Sequence, residues 1–480
     1  MTNCEKILKQ KGPMMSGELV AFLVSQNGLV ANTASKTIVR DKNVHRITGF
    51  YKSGQHFCFL EEHKNQVDFF DCFQESLFNN GKKYWYVLNA LKMCGGIVSQ
   101  RYLECYTNYP ISPLKSHLPF NLILQRFVAQ GILLFNEDCY LLSPKYEKSF
   151  TNYAHYSAIE AIKDNVLDNF KSLTKKIGLI SFKTGELFPE YGKFRFGFKG
   201  VSYVSGLMQG NKNGFVVADI LLGHPIYEND VKFFIDKLET INKFQKSARL
   251  IPILIVDDLD NNALRLLKSK GIVVGFINEL FGEKYANTLI ELVNILNNAG
   301  ASLKQTPEKY LDLIKQLKKY NEGLANNIKG TLFEFVVGHI HSTKCRTLDL
   351  GKEIIDKNNR KHETDVVSIY DDKIVISECK ATNAQIDILM IDIWIQEKIP
   401  AFYDWIKGIE VYREKDIVFE YWSINGFTED ALERLNHLKA TSKRFKVEYF
   451  NGNDVKERAI EMKNKKLKEV VNDFFLKTEV

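Results

Sequence analysis

The sequence predicts an α/β protein of several domains. Its 480 residues are enough for two to four domains of ordinary size. Hydrophobic residues make up 45% and charged residues 26% of the chain, a balance typical of folded globular proteins. From about residue 214 onward, short apolar strands alternate with helical segments. That alternation predicts sheets covered by helices.

Composition excludes several classes of protein. No stretch approaches about 18 uncharged apolar residues, so no membrane partner is expected. The first residues lack the basic, apolar and small-residue succession of a signal peptide. The eight cysteines are scattered without a C-x-x-C pair, so neither a zinc site nor a disulfide framework is expected. We therefore expect a cytoplasmic protein. Its formal net charge of +7 is only mildly basic.

The first predicted domain covers residues 1–80. An apolar helix at 16–26 is followed, after a glycine turn, by a second helix at 31–40. Two short strands follow, at 44–47 and 57–60. This succession resembles a winged helix-turn-helix, a fold that inserts one helix into the major groove of DNA.

Three basic residues of this domain are candidate DNA contacts. In winged helices, Lys and Arg side chains touch phosphates and fix the protein on the duplex. The resemblance therefore implies phosphate contacts by Lys36, Arg40 and Lys42. Many winged helices mediate protein contacts instead, and the sequence leaves this alternative open.

A second, weaker copy of the same pattern covers residues 81–150. A helix is predicted at 85–91, and the segment 97–103 follows the Gly95-Gly96 turn. Strands at 131–135 and 139–142 close the unit as a hairpin. We expect a second winged-helix-like domain here.

Residues 151–300 predict a small α/β domain. Apolar runs that read as strands alternate with two helices, the second of which ends at a glycine. The predicted order is strand 214–222, helix 229–244, strand 250–256, helix 263–271 and strand 272–277.

Residues 301–327 are predicted to be a helical linker. Five lysines give this stretch a basic face, which is either solvated or in contact with phosphate. They are Lys304, Lys309, Lys315, Lys318 and Lys319.

The most informative pattern lies in the last predicted domain, residues 328–480. Two apolar strands flank an Asp-Asp turn, the first carrying Asp365 and the second ending in Glu378-Cys379-Lys380. Because side chains alternate along a strand, Glu378 and Lys380 share a face, and the hairpin brings Asp365 beside them. Two carboxylates and an ammonium suit a hard divalent cation and an activated water. We therefore expect Mg2+ or Mn2+ as the cofactor.

These residues resemble a known nuclease motif. Asp365 followed by Glu378-x-Lys380 is similar to the PD-(D/E)xK pattern. Upstream, residues 329–337 resemble the first helix of Mrr-type restriction endonucleases and archaeal Holliday-junction resolvases, and residues 423–432 resemble the strand, turn and helix that close that fold. One departure is Thr364, which stands where the motif has proline.

The resemblance implies a restriction-endonuclease-like α/β fold and a set of site residues. Glu334, Asp365 and Glu378 would hold the metal ion, and Lys380 would complete the catalytic group. Gln385 would lie near the scissile phosphate or, alternatively, at the start of a helix.

The order of elements in residues 151–300 repeats that of the last domain. In this comparison Asp219 falls at the position of Glu378, Leu221 at that of Lys380, and Gly206 near that of Asp365. We therefore expect a degenerate nuclease-like domain, in which Leu221 leaves Asp219 without a cationic partner. An unrelated α/β domain is the alternative.

The function expected from these patterns is a metal-dependent DNA endonuclease of restriction or anti-phage type. Its substrate would be double-stranded DNA, and one site per chain suggests a homodimer. Three alternatives remain open: a junction or repair nuclease, a nuclease gated by a ligand or partner, and a non-catalytic DNA-binding regulator.

Overall fold

The computed structural model describes residues 2–66, 68–136, 138–143, 153–204, 213–223, 225–244, 249–297, 307–320, 322–358 and 360–476. The chain forms two compact units, one of residues 1–151 and 167–276 and the other of residues 152–166 and 277–480. The fold is α/β and multidomain, as predicted. The finer domain boundaries proposed above remain predictions. Within the described ranges, no helix is both long and apolar enough to span a bilayer.

The first unit begins with a small helical region closed by three strands. Its elements are α1 (Asn3–Lys11), β1 (Met14–Met15), α2 (Ser16–Asn27), α3 (Ala31–Arg40), β2 (His45–Ile47) and β3 (Phe57–Phe59), followed by a 3-10 turn (Glu61–Asn65). The strands pair in the order β1-β3-β2. Helix α2 ends where Gly28 adopts a left-handed φ of 65°, which turns the chain into α3. This is the helix, turn, helix and strand order that the sequence predicted.

A second helical region follows, with its own three-stranded sheet. Its elements are α4 (Phe69–Asn80), α5 (Lys82–Met93), β4 (Ile97–Ser99), α6 (Gln100–Cys105), α7 (Phe120–Ala129), β5 (Leu133–Asn136) and β6 (Cys139–Leu142). The strand order is β4-β6-β5, and β5 and β6 form the predicted hairpin. Helices α4 and α7 were not among the predicted elements. Their buried side chains include Phe73, Leu77, Ile123 and Phe127.

The rest of the first unit contains a five-stranded sheet. This unit also includes the C-terminal part of α8, whose N-terminal part belongs to the second unit. The elements are α8 (Tyr153–Lys176), β7 (Glu186–Leu187), β8 (Glu190–Tyr191), β9 (Phe194–Arg195), β10 (Phe198–Ser202), β11 (Gly214–Leu221), α9 (Glu228–Phe244), β12 (Leu250–Val256), α10 (Asn261–Ser269) and β13 (Val273–Phe276). The sheet order is β13-β12-β11-β10-β7. The five elements predicted from residue 214 onward are all present, within a few residues.

The second unit also contains a five-stranded sheet. Its helices are α11 (Ile277–Phe281), α12 (Glu283–Asn297), α13 (Pro307–Tyr320), α14 (Glu322–Asn327), α15 (Lys329–Ser342), α16 (Ile388–Ile393), α17 (Ile399–Gly408), α18 (Glu429–Thr441), α19 (Gly452–Glu461) and α20 (Lys465–Val470). Its strands are β14 (Thr347–Ile355), β15 (Lys361–Ile369), β16 (Lys373–Lys380), β17 (Asp416–Ser423) and β18 (Lys446–Phe450). Shorter helical turns lie at Trp394–Lys398, Glu410–Tyr412 and Val471–Phe475.

The two five-stranded sheets have the same topology. The second has the order β14-β15-β16-β17-β18, which corresponds strand for strand to β7-β10-β11-β12-β13 of the first. In each sheet the first three strands pair antiparallel and the last two join in parallel. The repeated order of elements expected from the sequence is therefore present in the backbone.

The described part of the predicted linker, helices α13 and α14, instead contributes to the core of the second unit. Leu311, Ile314 and Leu317 of α13 are all buried, because they form one apolar stripe along the helix. Lys315 forms an ion pair with Glu469. Lys304 lies outside the described residues, and so do the side chains of Lys309, Lys318 and Lys319.

Candidate active site

The predicted hairpin brings two site residues onto one face. The backbone N–H of Tyr370 donates to the carbonyl of Lys373 at 2.8 Å, which closes the tight turn between β15 and β16. Along β16, side-chain alternation puts Glu378 and Lys380 side by side, with Lys380 Nζ 2.7 Å from Glu378 Oε1. The Glu378 carboxylate of this ion pair is buried, whereas the Lys380 side chain is partly exposed.

Asp365 lies where β15 separates from β16. Counted from the hairpin turn, the last regular pair of these strands is Val366 with Ser377, and Asp365 is the next residue of β15. The Asp365 carboxylate therefore accepts a backbone hydrogen bond in place of a carbonyl of the paired strand. Its Oδ2 accepts the backbone N–H of Cys379 at 2.6 Å and lies 3.5 Å from Lys380 Nζ. Thr364, where the related motif has proline, donates its hydroxyl to the carbonyl of Ser377 at 3.1 Å.

Glu334 lies on α15 and is buried, with 5% of its surface exposed. Its Oε2 lies 3.6 Å from Nε2 of His155 and accepts no hydrogen bond within the described part of the chain. Burial lowers the pKa of His155 to about 4. Burial, followed by the charge of Asp365, holds the pKa of Glu334 well above its usual value. Near neutral pH His155 is therefore uncharged, so its contact with Glu334 is not an ion pair.

The charges of the site act on one another. Burial and the neighbouring charge of Glu378 raise the pKa of Asp365. Burial also opposes ionisation of Glu378, but Lys380 and Lys398 overcome it and hold its pKa below the usual value. Burial disfavours the charge of Lys380, yet Asp365 and Glu378 raise its pKa well above normal. Glu334 is thus the carboxyl group whose charge is least compensated.

Lys398 is a member of this site that the sequence analysis missed. It lies on the π-helical turn Trp394–Lys398, and its Nζ is 2.7 Å from both Oε1 and Oε2 of Glu378. In the sequence it is one of many lysines in the chain, and its helical segment carries other polar residues, such as Glu397. Its approach to Glu378, 20 residues earlier, depends on how that helix packs on the sheet.

Helix α15 is held to the sheet by a second buried group. His341 Nε2 lies 3.1 Å from Oε2 of Glu420, and the same oxygen accepts from Trp422 Nε1 at 2.8 Å and Ser377 Oγ at 3.1 Å. Burial opposes ionisation of Glu420, but His341 and these hydrogen bonds lower its pKa. Because His341 and Glu334 share one helix, this network fixes the position of Glu334.

In the structure, the carboxylates of this group are not positioned to bind one metal ion together. Among the residues that the structure describes, no group of three or more His, Cys, Asp or Glu side chains is arranged to ligate a metal ion. The physical reason is local: Glu378 is already engaged by Lys380 and Lys398, and Asp365 by Cys379 and Lys380.

The structure also places the remaining predicted residues. Gln385 is exposed in the loop after β16 and does not begin the next helix, because Asp387 is its N-cap and accepts the Met390 N–H. Lys36 and Arg40 are exposed on α3, and Lys42 is exposed just after it. Their roles remain predictions.

The expectation that Asp219 of the first unit has no cationic partner is wrong. Asp219 has a cationic partner, since Lys237 Nζ lies 2.7 Å from its Oδ2 and both side chains are fully buried. Lys237 also donates to the carbonyls of Cys105 and Arg195 at 2.8 Å, which uses all three ammonium hydrogens. Leu221 stands at the position that corresponds to Lys380, and Lys237 of α9 supplies the positive charge instead.

The register also changes the predicted counterpart of Asp365. Phe198 pairs with Ala218 as Val366 pairs with Ser377, so Gly197 stands opposite Asp219 where Asp365 stands opposite Glu378. The Gly197 N–H donates to Asp219 Oδ1 at 2.6 Å. Gly206, the residue that the sequence comparison chose, lies outside the described residues.

Comparisons with known proteins add little. No family model matches the sequence, and no curated protein is significantly similar to it. Solved structures that it resembles include the EndoMS–dsDNA2 complex, at 14% identity over 29% of this chain, with a TM-score of 0.18. Protein VC1899 from Vibrio cholerae is 10% identical over 49% of this chain, with a TM-score of 0.17. The matches cover 50% and 53% of those chains. TM-scores this low support no conclusion about function.

Proposed function

We propose that this chain is a metal-dependent endonuclease that hydrolyses phosphodiester bonds in double-stranded DNA, and that it serves restriction or anti-phage defence. The observation that carries the proposal is the meeting of Asp365, Glu378 and Lys380 at the point where β15 leaves β16, with Glu334 buried beside them. Buried carboxylates with shifted pKa values cluster at sites of function more often than in ordinary cores.

The donor chemistry fits a hard divalent cation. Glu334, Asp365 and Glu378 offer carboxylate oxygens, the ligands that Mg2+ and Mn2+ prefer. Glu334 Oε2 is buried without a hydrogen bond in the described part of the chain, and its pKa is raised by burial and by Asp365. A cation held there would lower the pKa of a bound water and neutralise charge on a phosphate oxygen.

The protein's own groups have separate tasks in this proposal. Lys380, charged because Asp365 and Glu378 raise its pKa, would orient the attacking water and stabilise negative charge that develops on the phosphate. The N–H of Cys379 fixes the orientation of Asp365. Lys398 would have to leave Glu378 before that carboxylate could serve as a ligand.

The position of Lys398 favours a second version of the function, in which the nuclease is gated. As long as Lys398 holds both oxygens of Glu378, this carboxylate is closed to a cation. DNA, a ligand or a protein partner that drew Lys398 away would then open the site. A homodimer, with one such site in each chain, would allow both strands of a duplex to be cut.

A substrate panel tests the proposal. Purified protein is incubated with Mg2+ or Mn2+ and with linear duplex, plasmid, branched DNA, single-stranded DNA and RNA. Metal-dependent cutting of duplex DNA supports the proposal, and preference for branched DNA would favour a junction nuclease. Duplex binding without cutting of any substrate, together with no metal binding, would favour the non-catalytic regulator.

A further inference from the structure

A basic groove in the first unit is lined by residues other than those predicted to contact DNA. The loop between β2 and β3, residues 48–56, forms one wall, and the start of α5 forms the other. We call this cavity of about 520 Å³ the wing groove. Its lining includes three lysines and three amides, and none of the described residues that line it is Asp or Glu. The lysines are Lys52, Lys82 and Lys83, and the amides are Gln55, Asn79 and Asn80.

The loop is held firmly against α5. Phe50 is 1% exposed, and its ring centroid lies 5.0 Å from that of Tyr84 and 4.6 Å from that of Phe127. Gly81 allows the close approach, because a Cβ at that position would lie 2.9 Å from the carbonyl oxygen of Phe50. Tyr51 and Ser76 share a hydrogen bond of 2.5 Å between their hydroxyls. The shape of the groove is therefore set by packing.

The positive charges of the groove are poorly compensated. Lys82 is 3.3 Å from Asp236, but within the described ranges Lys52 and Lys83 form no ion pair with any carboxylate. Arg126 adds a fourth cation near the groove, since it and Lys83 both lie near the Tyr84 ring. Partial burial, followed by the charges of Arg126 and Lys52, lowers the pKa of Lys83. Cations held together in this way favour a polyanionic ligand.

We propose that the wing groove binds the phosphate backbone of duplex DNA through Lys52 and Lys83. Exposed lysines supply the charge, and the amides of Gln55, Asn79 and Asn80 supply hydrogen-bond donors, the two kinds of group that commonly contact DNA phosphates. This inference rests on the proposed action on DNA. It adds a binding surface distinct from Lys36, Arg40 and Lys42.

The test compares duplex binding by the full-length wild type with that of the double variant Lys52→Gln/Lys83→Gln. Binding is measured by fluorescence anisotropy in EDTA, which prevents cutting, over a series of salt concentrations. Each phosphate contact contributes about 0.9 to the slope of log affinity against log salt, so the variant should lose close to 1.8. The control Arg265→Gln/Lys268→Gln removes the same charge from exposed positions of the same unit and should keep the wild-type slope.

The outcomes separate this proposal from the proposed function. Restored binding in Lys52→Arg/Lys83→Arg, together with loss in the glutamine pair alone, supports the groove. A glutamine pair with the wild-type slope and affinity overturns the groove, as does an equal loss in the control pair. Neither result affects the nuclease proposal, which is judged by metal-dependent cutting in a separate sample.

Discussion

The ammonium group of Lys398 lies 2.7 Å from both carboxylate oxygens of Glu378. Glu378 is also 2.7 Å from Lys380, so two lysines neutralise one buried carboxylate. Such a carboxylate keeps its charge without a metal ion, and in the proposed metal site a cation would have to displace a lysine to reach it. The affinity of the proposed site for a metal ion would therefore depend on Lys398, a residue outside the three-residue motif.

Replacing Lys398 by methionine should strengthen metal binding. Hydrogen bonds between charged groups contribute about 1.5–3 kcal/mol, so removing the competitor should raise the affinity for Mn2+ by about ten- to hundredfold. Isothermal titration calorimetry of the protein without DNA measures this directly. Lys357→Met, at a lysine that is 87% exposed and pairs with Asp404, is the matched control. Unchanged affinity in Lys398→Met would show that the lysine does not compete with the cation.

The burial of His155 predicts a pH dependence of stability. The pKa of His155 falls from 6.5, the ordinary value for a solvated histidine, to about 4 in the folded protein. Between these values the unfolded state binds more protons, so this residue makes stability rise with pH from about 4 to about 6.5. The integrated effect is about 3 kcal/mol. Unfolding of metal-free wild type and His155→Gln across this range should show a shallower rise in the variant. Parallel curves would contradict the assignment.

The buried pair of Asp219 and Lys237 predicts a loss of stability. Removing one partner of a buried ion pair costs about 3–5 kcal/mol, so Asp219→Ala should unfold at markedly lower temperature. Asp258→Ala, at an exposed position of the same unit, should not. The cleavage rate per folded molecule should be unchanged, because the groups proposed to bind the metal ion and to activate water lie in the second unit. An intact, fully stable Asp219→Ala protein would contradict the importance of the pair.

The exposed face of α3 gives a prediction for DNA binding. Lys36 and Arg40 are exposed on this helix, as a DNA-contacting pair must be. Their joint replacement by alanine should reduce the salt dependence of duplex binding by up to about two units of log-log slope. The same anisotropy titration measures it. If slope and affinity both stay at wild-type values, α3 does not contact the DNA, and docking of a protein becomes the favoured role of the first winged-helix-like region.

The contacts that depend only on local backbone geometry could be predicted from the sequence. Asp365, Glu378 and Lys380 could be placed together because a hairpin and the two-residue period of a strand are local rules. Lys398 and Lys237 could not, since each reaches its carboxylate through the packing of a helix on a sheet. Gly197 was missed for a related reason: the pairing register of β10 and β11, which places it opposite Asp219, does not follow from the pattern of apolar residues.

Cleavage of duplex DNA by Asp365→Asn is the most direct test of the proposed active site. The substitution keeps the shape of the side chain and removes the charge that faces Lys380. We predict a folded protein whose single-turnover cutting with Mg2+ falls at least about a hundredfold. Asp349→Asn, at a residue 52% exposed on the neighbouring strand β14, should cut at the wild-type rate. Cutting by Asp365→Asn at the wild-type rate would contradict the account.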